Sequence, residues 1–315
     1  MKAWYKKLGY YENPFLIKPM QEAIKLYGQE QQLKDALYYA RSGNLLFIQG
    51  EEGIGKTKFL RTLIGGFRGR IIYVDGAKVV KNINIEELLR KRNGVKGKLF
   101  GKKPREMILV LDNVHELTSI NKQRIKYYFD SGFLHSVVFA GENLKKVGFS
   151  GSTLHRIGKR VIELGVMTPK QASTLAFERL DESHEDKDAL ISTKLVEKIY
   201  AKSNKNPKDF MINMHRVFEE MDFDEDEKVL EKHLRVLDDA LDDEDRGDYL
   251  SMLGADLIKT EDQLKDKRGN KLMKIGEHYR CPTYDMFCGN CGAIVKPTDK
   301  SCPECNVEFE NPVEE

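Results

Sequence analysis

The chain has 315 residues, 40% of them hydrophobic and 32% charged, with a net charge of +2. That balance describes a soluble globular protein of about two domains and excludes a disordered chain. No apolar run approaches the ~20 residues that span a bilayer, and the opening Met1-Lys2-Ala3-Trp4-Tyr5-Lys6-Lys7 lacks a signal-peptide core, so a cytoplasmic, non-membrane protein is expected.

Asn44-Leu45-Leu46-Phe47-Ile48-Gln49 reads as a short buried strand. It runs into Gly50-Glu51-Glu52-Gly53-Ile54-Gly55-Lys56-Thr57, which fits the phosphate-loop pattern G-x-x-x-x-G-K-[ST]. The glycines let successive backbone N–H groups converge on a phosphate. Lys56 is placed to reach the β- and γ-phosphates, and the Thr57 hydroxyl to hold Mg²⁺. Residues 57–64 read as the helix whose positive end faces the anion. Strand, loop and helix together are the context this motif requires.

Four more apolar runs, 70–74, 107–111, 136–140 and 160–164, predict strands with helical or mixed segments between them. That alternation implies a parallel sheet covered on both faces. Residues 1–110 hold 22 Lys/Arg against 10 Asp/Glu, and 90–105 hold eight basic residues and no acidic one. Gly94, Gly97 and Gly101 loosen that segment, and Leu99-Phe100 give it an apolar tip. It suits contact with a nucleic-acid backbone, where neutralised phosphates release counterions; Phe100 would stack on a base. The alternative is a solvated loop. Met107 to Leu111 end in Asp112, the carboxylate expected to organise Mg²⁺.

From residue 168 the pattern becomes helical. Thr168-Pro169-Lys170-Gln171 is a helix start, and Asn206-Pro207 another. Leu195, Val196, Ile199 and Tyr200 make one apolar stripe; Phe210, Met214, Val217 and Met221 make a second. Residues 222–248 carry 13 acidic and four basic residues. Leu230, Leu234, Leu237 and Leu241 predict an amphipathic helix there. Residues 242–280 read as a polar linker. All five cysteines follow residue 280, and Cys288-x-x-Cys291, ten residues, then Cys302-x-x-Cys305 predict a tetrahedral Zn²⁺ site. Disulfides, an iron site or redox dithiols are the alternatives, and Cys281 falls outside the pattern.

Residues 13–220 resemble the AAA+ ATPases, in the branch of origin-recognition-like, ExeA-like and archaeal proteins. Asn13-Pro14-Phe15 is similar to their opening segment, and Tyr27-Gly28-Gln29-Glu30 to the box beside the adenine. Asp112-Asn113-Val114-His115-Glu116 occupies the Walker B position, Val137 to Asn143 the sensor-1 strand end, and His155-Arg156-Ile157 the arginine-finger segment. Asn206-Pro207-Lys208 is similar to sensor 2. The resemblance implies a P-loop α/β fold with a helical lid, ATP and Mg²⁺ as ligands, and Arg156 acting in trans in a homo-oligomer, with Arg160 as its competitor. Asn113 stands where the family has its catalytic Glu, so Asn113 or Glu116 is left to position water. Sensor 1 is Glu142 or Asn143, and Lys208 replaces an arginine, keeping charge without the fork. These departures imply a slow, switch-like ATPase.

The resulting division is an ATPase domain over 1–167, a lid over 168–221, an acidic connector over 222–280 and a zinc ribbon over 281–315. Nucleotide state is expected to govern binding of DNA, or another nucleic acid, through 90–105 and the ribbon. A protein-binding switch without nucleic acid, or a degenerate scaffold, are the rivals.

Overall fold

The computed structural model describes residues 3–10, 13–17, 26–78, 107–180, 190–223 and 225–253, and the backbone of short strands between 273 and 295. Residues 90–105 and all five cysteines lie outside the described residues. Two compact units form. One, the sheet unit, comprises Gln21–Glu52, Lys56–Leu164 and Asp262–Glu315; the other, the helical unit, comprises Met1–Met20, Gly53–Gly55 and Gly165–Glu261.

In the sheet unit, β1 (Leu45–Gln49), β2 (Arg70–Asp75), β3 (Met107–Asp112), β4 (Ser136–Gly141) and β5 (Val161–Glu163) pair in parallel, in the order β2-β3-β4-β1-β5. Each predicted strand is present to within a residue at either end. Every residue of β3 and β4 is buried, which is why these segments read as continuous apolar runs rather than alternating ones. Side chains alternate across the sheet. Leu45, Phe47, Leu109, Leu111, Val137 and Phe139 share one core with Ile125 of α4 (Ser119–Asp130) and Ile157 of α5 (Gly151–Ile157). The opposite face is covered by α2 (Glu30–Arg41) and α3 (Lys56–Gly66), the latter burying Phe59, Leu60 and Leu63. Truncating Phe139, fully buried in the central strand, to Ala would cost about 3–5 kcal/mol.

The helical unit contains α1 (Trp4–Lys7), α6 (Pro169–Leu180), α7 (Thr193–Lys202), α8 (Pro207–Glu219) and α9 (Asp243–Met252). The starts expected from the sequence form. Thr168 and Gln171 cap α6 reciprocally, with Gln171 Oε1 accepting from Thr168 N at 2.8 Å. Asn206 Oδ1 accepts from Lys208 N at 2.9 Å at the head of α8. Phe210, Met214, Val217 and Phe218 are fully buried along α8. Trp4 lies against Phe218 with centroids 4.9 Å apart.

Two expectations are corrected here. The predicted Leu230–Leu241 helix is a 3-10 stretch, Glu231–Leu237, with Leu234 buried but Leu230 45% exposed. Local side chains tighten it: His233 Nδ1 accepts from Leu230 N at 2.9 Å, and Arg216 donates to Val236 O at 2.6 Å. Residues 243–252 are not linker but helix α9. Asp242 Oδ1 accepts from Asp245 N at 2.8 Å, and Arg246 pairs with Asp209 at 2.7 Å. The stretch folds through its caps and ion pairs, without an apolar stripe.

In the C-terminal part of the sheet unit, β6 (Met273–Ile275) pairs antiparallel with β7 (His278–Arg280), and β8 (Met286–Phe287) with β9 (Ile294–Val295). Among the described residues no helix is long and apolar enough to cross a membrane.

Candidate functional site

The phosphate loop follows β1 directly. Gly50 N donates to Gly141 O at 3.3 Å, so the loop leaves the sheet beside the end of β4. Gly53 and Gly55 have φ of 81° and 103°, a region that favours glycine. A Cβ on Gly53 would come 2.4 Å from Asn206 Oδ1 and 2.7 Å from Lys208 Cβ, both in the same unit as Gly53, so the loop tip and the head of α8 need that glycine twice over. Ile54 is buried. Lys56, opening α3, donates from Nζ to Gly50 O and Glu51 O at 2.8 Å each, curling the loop around its own ammonium. Burial pushes the Lys56 ammonium below its ordinary value, opposed by the charges of Asp112, Glu142 and Glu52.

Asp112 ends β3 and is 1% exposed. Its Oδ2 accepts from Thr57 Oγ1 at 2.6 Å and from Tyr73 OH at 3.1 Å, and its Oδ1 accepts from Asn113 N at 2.9 Å. Burial pushes its carboxyl upward; the Thr57 hydroxyl pulls it back. The strand order explains the first bond. β4 separates β1 from β3, so the start of α3 must reach past the end of β4 to meet Asp112. A buried carboxylate beside a hydroxyl is an all-oxygen pair of the kind a hard divalent cation takes. A cation there would offset the cost of burying the charge.

Asn113 is in the left-handed region, φ 48° and ψ 46°. Its Nδ2 donates to Asp75 Oδ1 at 2.9 Å. Gly76 lies so close that a Cβ there would be 2.4 Å from Asn113 O. Glu116 follows on a 3-10 turn, with its side chain 55% exposed and paired with His115 at 3.3 Å. The Asn113 amide thus faces Asp75, and the Glu116 side chain faces His115 and solvent. At the end of β4, Asn143 Oδ1 accepts from Lys145 N at 2.9 Å and caps a turn. Glu142 is exposed, and its charge acts on Lys56.

Arg156 is 56% exposed and pairs with Asp130 at 3.1 Å. Its competitor Arg160 is committed to the fold, donating from Nε to Leu45 O at 3.1 Å and from its guanidinium to Arg156 O. In the box expected beside the adenine, Gly28 N donates to Glu30 Oε1 at 3.2 Å, and the Lys58 ammonium lies 5.9 Å from the centre of the Tyr27 ring. Sequence reasoning missed Tyr73, Asp75 and Gly76. The signal was present: β2 ends in Asp followed by Gly, as β3 ends in Asp followed by a left-handed Asn, and Asp75 pairs in register with Asp112.

No family model and no curated protein matches the sequence. Solved structures do match. The Aeropyrum pernix Orc1 protein, in a complex with DNA, aligns at 15% identity and a TM-score of 0.51, covering 72% of this chain and 69% of that one. Cdc6p from Pyrobaculum aerophilum aligns at 18% identity and 0.51, covering 72% and 70%. At such identity the likeness shows the fold alone. The chain has an α/β P-loop fold of the AAA+ type, a five-stranded parallel sheet with a separate helical unit.

Proposed function

We propose that this chain binds ATP·Mg²⁺ at Gly50–Thr57 and hydrolyses it slowly, nucleotide state governing its binding of DNA. The observation that carries this is the Thr57 hydroxyl on the buried Asp112 carboxylate, next to a loop already curled around Lys56. Thr57 and Asp112 would hold Mg²⁺, which when bound offsets the charge of the phosphates. Lys56 would exchange the carbonyls of Gly50 and Glu51 for phosphate oxygens. Gly50, Gly53, Ile54 and Gly55 shape the loop, and Lys208, beside Gly53, adds a second cation. Arg156, the more exposed of the two candidate arginines, would act on a neighbouring copy's nucleotide in a homo-oligomer.

DNA is favoured as partner by the basic segment 90–105, and the Orc1 protein of like fold was solved on DNA. The four segments 1–167, 168–221, 222–280 and 281–315 would act as ATPase, lid, connector and zinc ribbon, with Cys288, Cys291, Cys302 and Cys305 on Zn²⁺. The acidic run over 222–248 favours the second reading, a protein-binding switch without nucleic acid.

Calorimetric titration with ATP and Mg²⁺ tests the site: wild type binds and Lys56→Ala does not. Equal binding by both would sink it. DNA binding that weakens steeply with salt, and is lost when Lys96, Lys98, Lys102 and Lys103 are neutralised, supports the DNA role. No binding at low salt would favour the protein switch. Zinc content that survives Cys288→Ser would remove the metal assignment.

A further inference from the structure

We infer that Glu142, at the carboxyl end of β4, is the carboxylate that orients the attacking water and takes its proton, a role displaced from the β3 strand end to the neighbouring strand. The inference rests on the ATP site proposed above.

The β3 end supplies no base. Asn113 has no basic side-chain atom at neutral pH, and its amide is engaged by Asp75. Its left-handed backbone and the close approach of Gly76 hold it in that orientation. Glu116 is turned to solvent with His115, and its charge is not among those acting on Lys56.

β4 places a carboxylate instead. Gly141 is in register with Gln49, the residue before the loop, and accepts from Gly50 N. Glu142 comes next in the chain, so it stands alongside the first residues of the phosphate loop. The segment after it is tied to β1 where Leu144 N donates to Gln49 Oε1 at 3.0 Å. That bond fixes where the chain turns and so where Glu142 sits. Of the carboxylates whose charge acts on Lys56, Glu142 is second only to Asp112. Asp112 is buried and occupied by Thr57, Tyr73 and Asn113. Glu142 is exposed, and among the described residues no hydrogen bond or ion pair engages its carboxylate. Water therefore has access to it. Glu52, the third, belongs to the loop itself and already has a partner.

In the step, the water oxygen bonds to the γ-phosphorus. The bond to the bridging oxygen breaks, and its electron pair leaves with ADP. One water proton passes to Glu142 and is then released to solvent. A positioned base of this kind contributes about 10²–10⁴-fold.

The test compares wild type, Lys56→Ala, Glu142→Gln and Glu142→Asp for ATP affinity, for single-turnover hydrolysis, and for the nucleotide recovered from the protein after incubation. Glu142→Gln should bind Mg·ATP as tightly as wild type or tighter, since a negative charge near the phosphates is gone. It should be recovered carrying ATP where wild type carries ADP, with turnover down about 100-fold or more. Glu142→Asp, which keeps the carboxylate, should fall between them. A purely structural partner of Lys56 would instead lose affinity in Glu142→Gln. That result overturns the inference, as does near-normal turnover of Glu142→Gln or wild-type binding without hydrolysis. So does loss of turnover in Glu116→Gln while Glu142→Gln stays active. Failure of wild type to bind ATP at all overturns the site itself, and is separately visible in the titration.

Discussion

Thr57 Oγ1 donates to Asp112 Oδ2 at 2.6 Å although β4 lies between the two strands that lead to them. The bond links the phosphate loop to the carboxylate. Asp112 is buried, and the groups that donate to it, Thr57, Tyr73 and the Asn113 N–H, are all neutral.

Asp112→Asn separates metal binding from stability. Burial raises the Asp112 carboxyl in the folded protein, so the stabilising contribution is present below its unfolded value and lost as pH rises through the folded one. Once pH has passed the folded value, the buried ionised group is a net cost. Asp112→Asn should therefore melt no lower than wild type in chelator, while Mg²⁺-dependent ATP affinity falls about tenfold or more. A clearly lower melting temperature in chelator would contradict this account.

Gly76→Ala should disturb the site from outside it. The added Cβ would meet Asn113 O at 2.4 Å, Asn113 C at 3.1 Å and Asp112 O at 3.0 Å, all backbone atoms that cannot rotate aside. A loss of about 1–3 kcal/mol in denaturant unfolding is expected, with weaker Mg·ATP binding. Unchanged stability would mean that the β3 turn is softer than its geometry implies.

His215 makes the helical unit acid-sensitive. Trp4 Nε1 donates to His215 Nδ1 at 2.9 Å, and Asn13 Nδ2 lies 2.9 Å from the same atom. Two donors on Nδ1 put the imidazole proton on Nε2, which is 3.8 Å from Glu219; the Tyr249 ring closes the other side. Burial lowers the His215 pKa to about 4. A lowered histidine contributes stability present above its unfolded value near 6.5 and lost as pH falls toward 4. The loss amounts to about 3 kcal/mol over that window. Trp4 is the only tryptophan in the sequence, so its fluorescence reports the event directly. His215→Gln should flatten the pH dependence; an unaltered profile would assign it to other groups.

Arg156 and Arg160 should part company under substitution. Arg156→Ala removes an exposed pair worth about 1 kcal/mol or less, so melting should barely move. If Arg156 acts on a neighbour, turnover per chain should rise with protein concentration in wild type and stay flat and low in the variant. Arg160→Ala removes the donor to the part-buried Leu45 carbonyl and the one to Arg156 O, and should destabilise by about 1 kcal/mol or more. Concentration-independent turnover in wild type would remove the in-trans role.

The sheet was legible because its strands are buried on both faces, and such strands announce themselves as unbroken apolar runs. The phosphate loop was legible because glycine, lysine and threonine at that spacing satisfy one local geometry. The helix starts at Thr168 and Asn206 were legible for the same reason: a cap acts within four residues. α9 was not. Its anchors are Asp209, paired with Arg246, and Ile17, whose N–H donates to Leu253 O just past the helix; both are distant in sequence, and nothing within residues 243–252 predicts them.

At the site, the sequence singled out Lys56, Thr57 and Asp112 as one group, because their chemistry has few other uses in that order, and the structure brings Thr57 onto Asp112. It did not determine which polar residue serves the water. It left Asn113 or Glu116 for the water and Glu142 or Asn143 for sensor 1. Their surroundings are set by the tertiary structure: the β1–β4 register puts Glu142 beside the loop, and Asp75 accepts from the Asn113 amide. Strand order is a long-range property, set by how covered faces stack rather than by any local preference, and the direction of those side chains follows from it.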